Sequence, residues 1–363
     1  MKTKSSRILL IGHFGRNNIG DQLMLDSQIS LLAGHNIIVA SNEQINNIKT
    51  IRDSIIPIFI SMRKVDYICF GGGTFIHDHH QNIKFKYSGH LKILIYFLLS
   101  KILKKKFNLV GNGFYPIKKS ITKIVLKFII NNSNYCSVRD KSSFNELCKI
   151  KGLDKDKIQL TSDSALIKLH ESILISKLEK TNYIIGINIL PYYNIYENKP
   201  NLDNIFIDRL SIFIEELCKK ISYLNPIIQP IIFNNKKTEN ETELISKFNN
   251  QLSSSITISD TVFLNNTEDV INTFPKFSLY IGMRYHGILF SRVFNVKQII
   301  ISYHPKCSVL GNELNVDDDF ILTLENISLT NEKMDKLLNE LNSPYNFNRD
   351  IELIHKFFFP DMN

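Results

Sequence analysis

The stretch Tyr67-Ile68-Cys69-Phe70-Gly71-Gly72-Gly73-Thr74 decides the predicted fold. Its first four residues are apolar without alternation, which is typical of a strand covered on both faces of a parallel sheet. The three glycines that follow predict a loop whose backbone approaches a ligand closely. Similar apolar runs recur along the N-terminal half, and we interpret them as strands: Ile8–Ile11, Ile37–Ala40, Phe107–Val110, Tyr135–Val138 and Ile158–Leu160.

Helical stretches alternate with these strands, and the alternation restarts near residue 183. In the first half the predicted helices are Asp21–Leu32, Leu91–Leu103, Ser120–Ile130 and Lys141–Ile150. In the second half we predict strands at Tyr183–Ile189, Ile227–Phe233, Ser255–Ile258, Leu279–Gly282 and Gln298–Ser302. The helices between them are Leu202–Leu224, Glu239–Leu252, Asn266–Phe274 and Tyr285–Phe294.

Repeated strand–helix units predict an α/β protein with two doubly wound, Rossmann-like lobes. We place the N-terminal lobe at residues 1–175, the C-terminal lobe at 176–316 and a helical tail at 317–363. In such sheets ligands bind beyond the carboxyl ends of the strands, so the active site is expected in the cleft between the lobes.

Composition indicates a cytoplasmic protein. No long apolar segment with a cleavage site follows the N-terminus, and the longest apolar run, Ile93–Leu99, is too short to span a bilayer. The five cysteines are widely spaced and contain no CxxC pair, so we interpret them as reduced thiols.

Positive charge is concentrated in one segment. The net charge is +9, yet the chain between Asp78 and Asp140 has no acidic residue and twelve lysines and arginines. Such a segment attracts anionic lipid, nucleic acid or phosphorylated substrates. Within it, Leu91–Phe107 has an apolar middle flanked by lysines, which indicates either a core helix with a basic end or a helix that docks on the inner face of the membrane.

The strand ends of the first lobe carry candidate ligand-binding groups. They include Asn18 and Asp21 in the first loop, Gly72, Gly73, Thr74 and Asp78 after the triple glycine, Gly113, and Arg139. An arginine at a strand end suits a phosphate or a carboxylate, although Asp140 offers it an ion pair instead. We do not interpret His77-Asp78-His79-His80 as a metal site, because the spacing is not helical and no second ligand cluster appears.

The C-terminal lobe carries the sharpest pattern. Leu279–Gly282 runs into Met283-Arg284-Tyr285-His286, and the next strand ends in Tyr303-His304-Pro305-Lys306. Two neighbouring strand-to-helix loops therefore present Arg284, His286 and Lys306 together. Three cationic groups at adjacent strand ends predict an anion-binding site.

Taken in order, these motifs resemble the polysaccharide pyruvyl transferase family. The matching elements are Gly15 to Asp21, Gly71-Gly72-Gly73 with Asp78, Gly111 to Pro116, Val138-Arg139-Asp140 with Ser143, Asp163-Ser164-Ala165, Met283 to His286 and Tyr303 to Lys306. The resemblance implies a GT-B-like fold and transfer of a pyruvyl group from phosphoenolpyruvate to a sugar, forming a ketal. It also makes Arg139, Arg284, His286 and Lys306 the important basic positions. The sequence departs from the family at His304, where Asp is common, and at Ser164, where Pro is common.

We expect the phosphoenolpyruvate side in the C-terminal lobe and the acceptor side in the N-terminal lobe with its basic surface. We assign His286 as the acid, Arg284 and Arg139 as holders of carboxylate and phosphate, Lys306 as the partner of the leaving phosphate, and Asp21 or Asp78 as the base. Gly72, Gly73, Thr74, Asn18, Gly113, Tyr285, Tyr303 and His304 are the remaining substrate-binding candidates. The scheme requires no metal or cofactor, since phosphoenolpyruvate is a substrate.

The expected partners are phosphoenolpyruvate, a hexose-containing lipid-linked oligosaccharide or polysaccharide repeat, and the anionic membrane surface. Two other functions fit the same fold: a GT-B glycosyltransferase that uses a nucleotide sugar, and a non-catalytic protein of polysaccharide assembly. The sequence contains no recognisable nucleic-acid-binding module and no Trp, which disfavours nucleic-acid binding.

Overall fold

The computed structural model describes residues 5–15, 18–45, 47–74, 76, 78, 88–173, 182–234 and 240–341. These residues form two compact units. Of the described residues, the first unit contains 5–15 and 21–168, and the second contains 18–20 and 169–341.

The first unit is built on a parallel sheet. Its strands are β1 (Arg7–Ile11), β2 (Asn36–Ala40), β3 (Lys49–Ile51), β4 (Tyr67–Gly73), β5 (Lys106–Asn112), β6 (Tyr135–Val138) and β7 (Ile158–Leu160). Their order across the sheet is β3-β2-β1-β4-β5-β6-β7. The order reverses between β1 and β4, and that reversal is where doubly wound sheets bind ligands.

Helices alternate with these strands along the chain. They are α1 (Ile19–Leu31), α2 (Ile55–Met62), α3 (Ser88–Ile102), α4 (Ser120–Asn132), α5 (Lys141–Cys148) and α6 (Ala165–Ile173). The strand β3 and the helix α2 were not predicted. Short elements of this kind carry too few residues to show a period.

The core of the first unit contains stacked aromatic rings. Phe107 on β5 contacts Phe97 on α3 edge-on, with ring centroids 5.4 Å apart, and stacks on Phe70 of β4 at 6.5 Å. Full burial of one such ring stabilises the fold by about 1.5–3 kcal/mol relative to exposure. The continuously apolar strands are therefore explained by burial on both faces of the sheet.

The second unit repeats the design. Its strands are β8 (Ile184–Asn188), β9 (Ile227–Ile232), β10 (Thr257–Ile258), β11 (Val262–Phe263), β12 (Phe277–Gly282), β13 (Lys297–Ser302) and β14 (Ile321–Thr323). Its helices are α7 (Pro200–Lys220), α8 (Glu241–Gln251), α9 (Thr267–Thr273), α10 (Tyr285–Val293), α11 (Pro305–Glu313) and α12 (Asn331–Leu341). The order is β10-β9-β8-β12-β13-β14, with β11 also paired to β9, so the reversal lies between β8 and β12.

These elements confirm the predicted fold class: two Rossmann-like lobes with a GT-B-like design. The predicted boundaries need correction. The division falls at residue 168 rather than 175, and residues 18–20 belong to the second unit. Within the predicted helical tail from residue 317, α12 is helical, while Ile321–Thr323 pairs with β13 and extends the second sheet. Residues 342–363 of the predicted helical tail lie outside the described residues.

Within the described part of the chain, no helix has the length and apolar character needed to cross a bilayer.

Candidate active site

The strand ends of the second sheet meet at its point of reversal. The N–H of Met283, just after β12, donates to the carbonyl of Asn188 at the end of β8, with 3.3 Å between nitrogen and oxygen. The sulfur of Met283 lies 3.2 Å from the N–H nitrogen of Leu190. The loops that follow β8 and β12 are therefore packed together where doubly wound sheets bind ligands.

Arg284 is held by a buried carboxylate. It is the residue before α10, and its Nε donates to Oε1 of Glu241 over 2.8 Å while its Nη2 also donates to that oxygen. The Glu241 side chain is fully buried, and its Oε2 accepts from the Phe233 N–H at 3.0 Å and from Asn188 Nδ2 at 3.4 Å. Four hydrogen bonds on one carboxylate fix the orientation of the guanidinium.

Glu241 was not found from the sequence. It is the first residue of α8 and lies 43 positions before Arg284. The only local signal is an acidic residue at a helix start, which is common at surface helices for reasons of dipole alone.

His286 packs against a glycine of the first loop. A Cβ placed on Gly20 would lie 1.9 Å from Nδ1 of His286, so no side chain fits there. The segment is held by the N–H of Ile19, which donates to the Phe233 carbonyl at 3.3 Å, and by a bridge between Asn18 and Asn234. The sequence predicted that this loop binds a ligand. At Gly20, packing against His286 is enough to explain why the residue is a glycine.

Asn18 and Asp21 occupy the start of α1. Oδ1 of Asn18 accepts from the Gly20 N–H at 3.0 Å, which satisfies a donor at the helix start. Asp21 is half-buried in the first turn of α1, where an acidic residue is favoured by the helix dipole. Asn18 is therefore engaged in capping, whereas Asp21 stays a candidate base.

The loop after β13 places Lys306 in the first turn of α11. His304 precedes the helix, and its Nδ1 accepts from the Lys306 N–H at 3.1 Å, so its ring acts as a helix cap. The Lys306 Nζ lies 5.3 Å from the centroid of the Tyr303 ring. This capping contact requires a side chain with a hydrogen-bond acceptor at position 304. The Asp that is common there in the family also has such an acceptor.

A buried thiol links the start of α11, which carries Lys306, to the segment that carries Arg284. The Sγ of Cys307 donates to the Met283 carbonyl at 3.2 Å, which links the start of α11 to the end of β12. Burial raises the pKa of Cys307 to about 11, and the charges of Lys306 and Arg284 both act to lower it. The Cys307 hydrogen bond therefore joins the two segments that carry Lys306 and Arg284.

A cluster of tyrosines borders this site. The segment after β8 forms a π-helical turn, Tyr193–Glu197. The ring of Tyr192 lies 5.3 Å from that of Tyr196 and 5.6 Å from that of Tyr303. Tyr303 was predicted from the sequence, but the run Tyr192-Tyr193-Asn194-Ile195-Tyr196 was not, although its place after a strand end and its three aromatics were visible.

Tyr285 is buried at the start of α10, and its ring meets that of His286 edge-on at 5.4 Å. The neighbouring Phe290 ring lies 5.8 Å from His286 on the same helix. Tyr285 therefore contributes to holding the imidazole.

In the first unit, Arg139 is enclosed by acids. Its Nη1 donates to Oδ2 of Asp163 at 2.8 Å, its Nη2 donates to Thr74 Oγ1 at 3.1 Å, and its Nε lies 3.8 Å from Oδ2 of Asp140. Only 5% of the side chain is exposed. A Cβ on Gly113 would lie 2.8 Å from Thr74 Oγ1 and 3.2 Å from Arg139 Nε, so Gly113 makes room for this network.

The triple glycine continues a strand. Gly71 and Gly73 pair with Val110 and Asn112 of β5, so β4 runs past the predicted end at Phe70. A Cβ on Gly71 would lie 2.0 Å from the Val110 carbonyl oxygen. Gly72 and Gly73 have φ values of 78° and 128°, which favour glycine. Close packing at Gly71 and the positive φ values of Gly72 and Gly73 therefore explain why glycine occupies these positions, without reference to a ligand.

Asp78 caps a helix. Its Oδ2 accepts from the N–H groups of Lys118 and Lys119 at 2.6 and 2.7 Å, and its Oδ1 accepts from Thr122 Oγ1 at 2.7 Å. Burial acts to raise the pKa of Asp78, but these hydrogen bonds bring it below its usual value. A carboxylate stabilised in this way is a poor base. His77, His79 and His80 lie outside the described residues.

Solved structures share this two-unit architecture. A putative UDP-N-acetylglucosamine 2-epimerase from Listeria monocytogenes is 12% identical, with 98% of this chain and 92% of that chain covered and a TM-score of 0.56. The UDP-GlcNAc 2-epimerase of Methanocaldococcus jannaschii is 14% identical, with 94% of each chain covered and a TM-score of 0.55. The Anabaena protein HepE, solved with UDP-glucose, is 11% identical, with 93% and 89% covered and a TM-score of 0.54. These similarities show that the chain shares the fold of these proteins.

The family follows from the sequence motifs. The model of the polysaccharide pyruvyl transferase family matches residues 18–305, and the chain belongs to that family. Among curated proteins, none matches the sequence.

Proposed function

We propose that this protein transfers the pyruvyl group of phosphoenolpyruvate to a sugar of a polysaccharide or of its lipid-linked precursor, forming a pyruvate ketal. The observation that carries the proposal is the group Arg284, His286 and Lys306 at the ends of β12 and β13. Phosphoenolpyruvate carries a carboxylate and a phosphate, and it needs several cations within a few ångströms of each other.

Glu241 supports a binding role for Arg284. A guanidinium held by a buried carboxylate presents its donors in a fixed plane, which favours recognition of a carboxylate or a phosphate. Binding then requires little reordering of the side chain, so more of the interaction energy goes into affinity.

The proposed reaction consumes one phosphoenolpyruvate and uses two hydroxyl groups of one sugar. His286 protonates the methylene carbon, which becomes a methyl group, and a sugar hydroxyl attacks the adjacent carbon. The bond between that carbon and the phosphate oxygen breaks, phosphate leaves beside Lys306, and a second hydroxyl of the same sugar closes the ketal. One hydroxyl proton replaces the proton given by His286, and the other leaves with phosphate.

The base in this scheme is Asp21. Asp78 is no longer a candidate, because its oxygens are committed to the start of α4. Arg139 is likewise assigned a structural role, since Asp163 and Asp140 balance its charge.

We propose the tyrosine cluster as the surface that takes the acceptor sugar, which moves the acceptor side from the N-terminal lobe, where the sequence analysis expected it, to the second unit. Tyr196 is 41% exposed, and its ring stacks on Tyr303 with centroids 6.5 Å apart. Tyrosine rings combine an apolar face with a polar tip, which suits the C–H face and the hydroxyls of a pyranose.

The test is phosphate release from phosphoenolpyruvate with a panel of aryl-linked and lipid-linked hexoses, followed by detection of the ketal product by mass spectrometry. We expect release that depends on an acceptor and that is lost in Lys306→Met. The matched control is Lys276→Met, an exposed lysine of the same unit, which should retain wild-type rates.

Two results would overturn the proposal. If UDP raised the melting temperature while phosphoenolpyruvate did not, the site would belong to a nucleotide-sugar enzyme. If neither ligand bound and no hexose gave turnover, the protein would be a non-catalytic member of its family.

A further inference from the structure

The first unit carries a large exposed apolar surface. Of the fifteen large hydrophobic side chains that are exposed in the described part of the chain, nine lie on the three helices α2, α3 and α4. They are Ile55, Ile56, Ile60, Leu91, Leu98, Ile102, Ile121, Ile124 and Phe128. We call this set the three-helix face.

The three helices are neighbours. Lys92 of α3 donates to both oxygens of Asp53, just before α2, at 2.9 Å. His90 of α3 lies 3.0 Å from Thr122 of α4, measured between Nε2 and Oγ1. Further along, the ring of Phe97 meets that of Phe128 edge-on at 5.6 Å. Adjacent helices therefore bring the exposed side chains onto one side of the unit.

The exposed side chains follow helical spacing. On α3 they are at positions 91, 98 and 102, and on α4 at positions 121, 124 and 128. The opposite sides of these helices supply core residues such as Met62, Phe97 and Leu126. Each helix is thus apolar on two sides, whereas a surface helix normally turns a polar side to water. Exposed apolar surface of this extent marks an interaction site.

Lysines surround the three-helix face. Lys101, Lys104, Lys118 and Lys123 are exposed, and the sequence from residue 79 to 139 has no acid to offset them. The Lys101 Nζ lies 5.3 Å from the Phe97 ring centroid, so its stem covers apolar surface while its charge stays outside. Two acids beside these helices are engaged: Asp53 pairs with Lys92, and Asp78 accepts hydrogen bonds from the start of α4.

We propose that the three-helix face docks on the surface of an anionic lipid bilayer. Apolar side chains enter the boundary between headgroups and acyl chains, and lysines contact anionic headgroups. A protein partner would need acidic residues placed to match, whereas an anionic bilayer supplies charge over its whole area. The proposal stands on this face alone and does not depend on the chemistry proposed above.

The test is flotation of the full-length protein with vesicles of phosphatidylcholine, with or without phosphatidylglycerol. We expect binding to the anionic vesicles and its loss at high salt, because salt screens exposed charges. The triple variant Lys101→Glu, Lys104→Glu, Lys123→Glu should bind at least about tenfold more weakly, since each lysine near the surface strengthens binding about fivefold. Its control, Lys219→Glu, Lys220→Glu, Lys276→Glu, makes the same charge change in the second unit and should bind as wild type.

A second pair of variants tests the apolar part. Ile56→Asn, Ile102→Asn, Ile124→Asn changes side chains that are 72%, 74% and 62% exposed, so folding should be retained and vesicle binding lost. The control Ile205→Asn, Ile212→Asn changes exposed isoleucines of α7 and should bind normally. Circular dichroism and melting curves check the fold of each variant.

Three outcomes would overturn the proposal. The first is no binding to anionic vesicles at any salt concentration. The second is an equal loss in the variants and their controls. The third combines two results: wild-type protein does not bind vesicles, and it forms a dimer in analytical ultracentrifugation that the triple Ile→Asn variant does not form. That outcome would assign the face to contact between copies of this chain.

Discussion

Each unit presents an arginine at a strand end that pairs with a buried carboxylate, yet the two surroundings differ. Arg139 follows β6 and faces both Asp163 and Asp140, with 5% of its side chain exposed. Arg284 follows β12 and pairs with Glu241, with 11% exposed.

Local charge explains what this difference means for binding. One arginine between two carboxylates leaves an excess of negative charge, which disfavours an anionic ligand. In the second unit Glu241 offsets Arg284, while Lys306 adds positive charge at the same edge of the sheet. Two doubly wound units thus differ in the charge at their strand ends because of where the acids fall, since fold alone does not specify a site.

The largest expected effect is on catalysis, and it compares Arg284 with Arg139. Arg284→Lys keeps the charge but loses the planar donors that hold Glu241, so we expect kcat/KM for phosphoenolpyruvate to fall about 100-fold. Arg139→Lys should stay within about tenfold of wild type, because that side chain is enclosed. Phosphate release measures both variants. A comparable loss in a correctly folded Arg139→Lys protein would remove the contrast between the two arginines.

The second prediction concerns the stability of the two pairs. Removing the charge of a buried partner leaves an uncompensated cation, so Glu241→Gln should lower the free energy of unfolding by about 3 kcal/mol. Asp163→Asn should lower it less, because Asp140 still lies 3.8 Å from Arg139.

Urea denaturation measures these free energies. The double variant Glu241→Gln, Arg284→Met is the control and should recover stability, since it removes the unpaired charge as well. Equal stability of Glu241→Gln and wild type would show that the ion pair between Glu241 and Arg284 is not needed for folding. It would also weaken the proposal that Glu241 positions Arg284.

The smallest expected effect concerns Asp78. Its folded-state pKa is below the usual value, so its ionised form stabilises the protein above about pH 4, and this contribution disappears as pH falls through the folded-state pKa. Asp78→Asn should therefore lower the free energy of unfolding by about 1 kcal/mol or less at pH 7, because solvent screens a half-buried carboxylate.

Urea denaturation at pH 7 and pH 3 tests the sign of this effect. The gap between Asp78→Asn and wild type should narrow at the lower pH. Asp156→Asn, an exposed carboxyl, serves as the control and should show no gap at either pH. A gap that widened in acid would contradict the capping role.

Much of the fold was predictable because parallel strands buried on both faces are continuously apolar. Tyr135–Val138 and Ile158–Leu160 agree with the structure residue for residue. The strand ends were less predictable: β4 and β5 extend through glycines, which only the pairing of Gly71 with Val110 reveals. Elements of two or three residues, such as β11 and β14, are too short for a periodic pattern.

The sequence by itself determined the alternation of strands and helices, the family, and the strand ends at which Arg284, His286 and Lys306 lie. These are local properties, since burial of a strand and the turn that follows it depend on neighbouring residues. The tertiary structure decided which charges meet: Glu241 with Arg284 across 43 positions, and Asp163 with Arg139 across 24. It also decided that Gly20 lies against His286. Such pairings depend on the order of strands in the sheet, which brings distant loops to one edge and which no local pattern encodes.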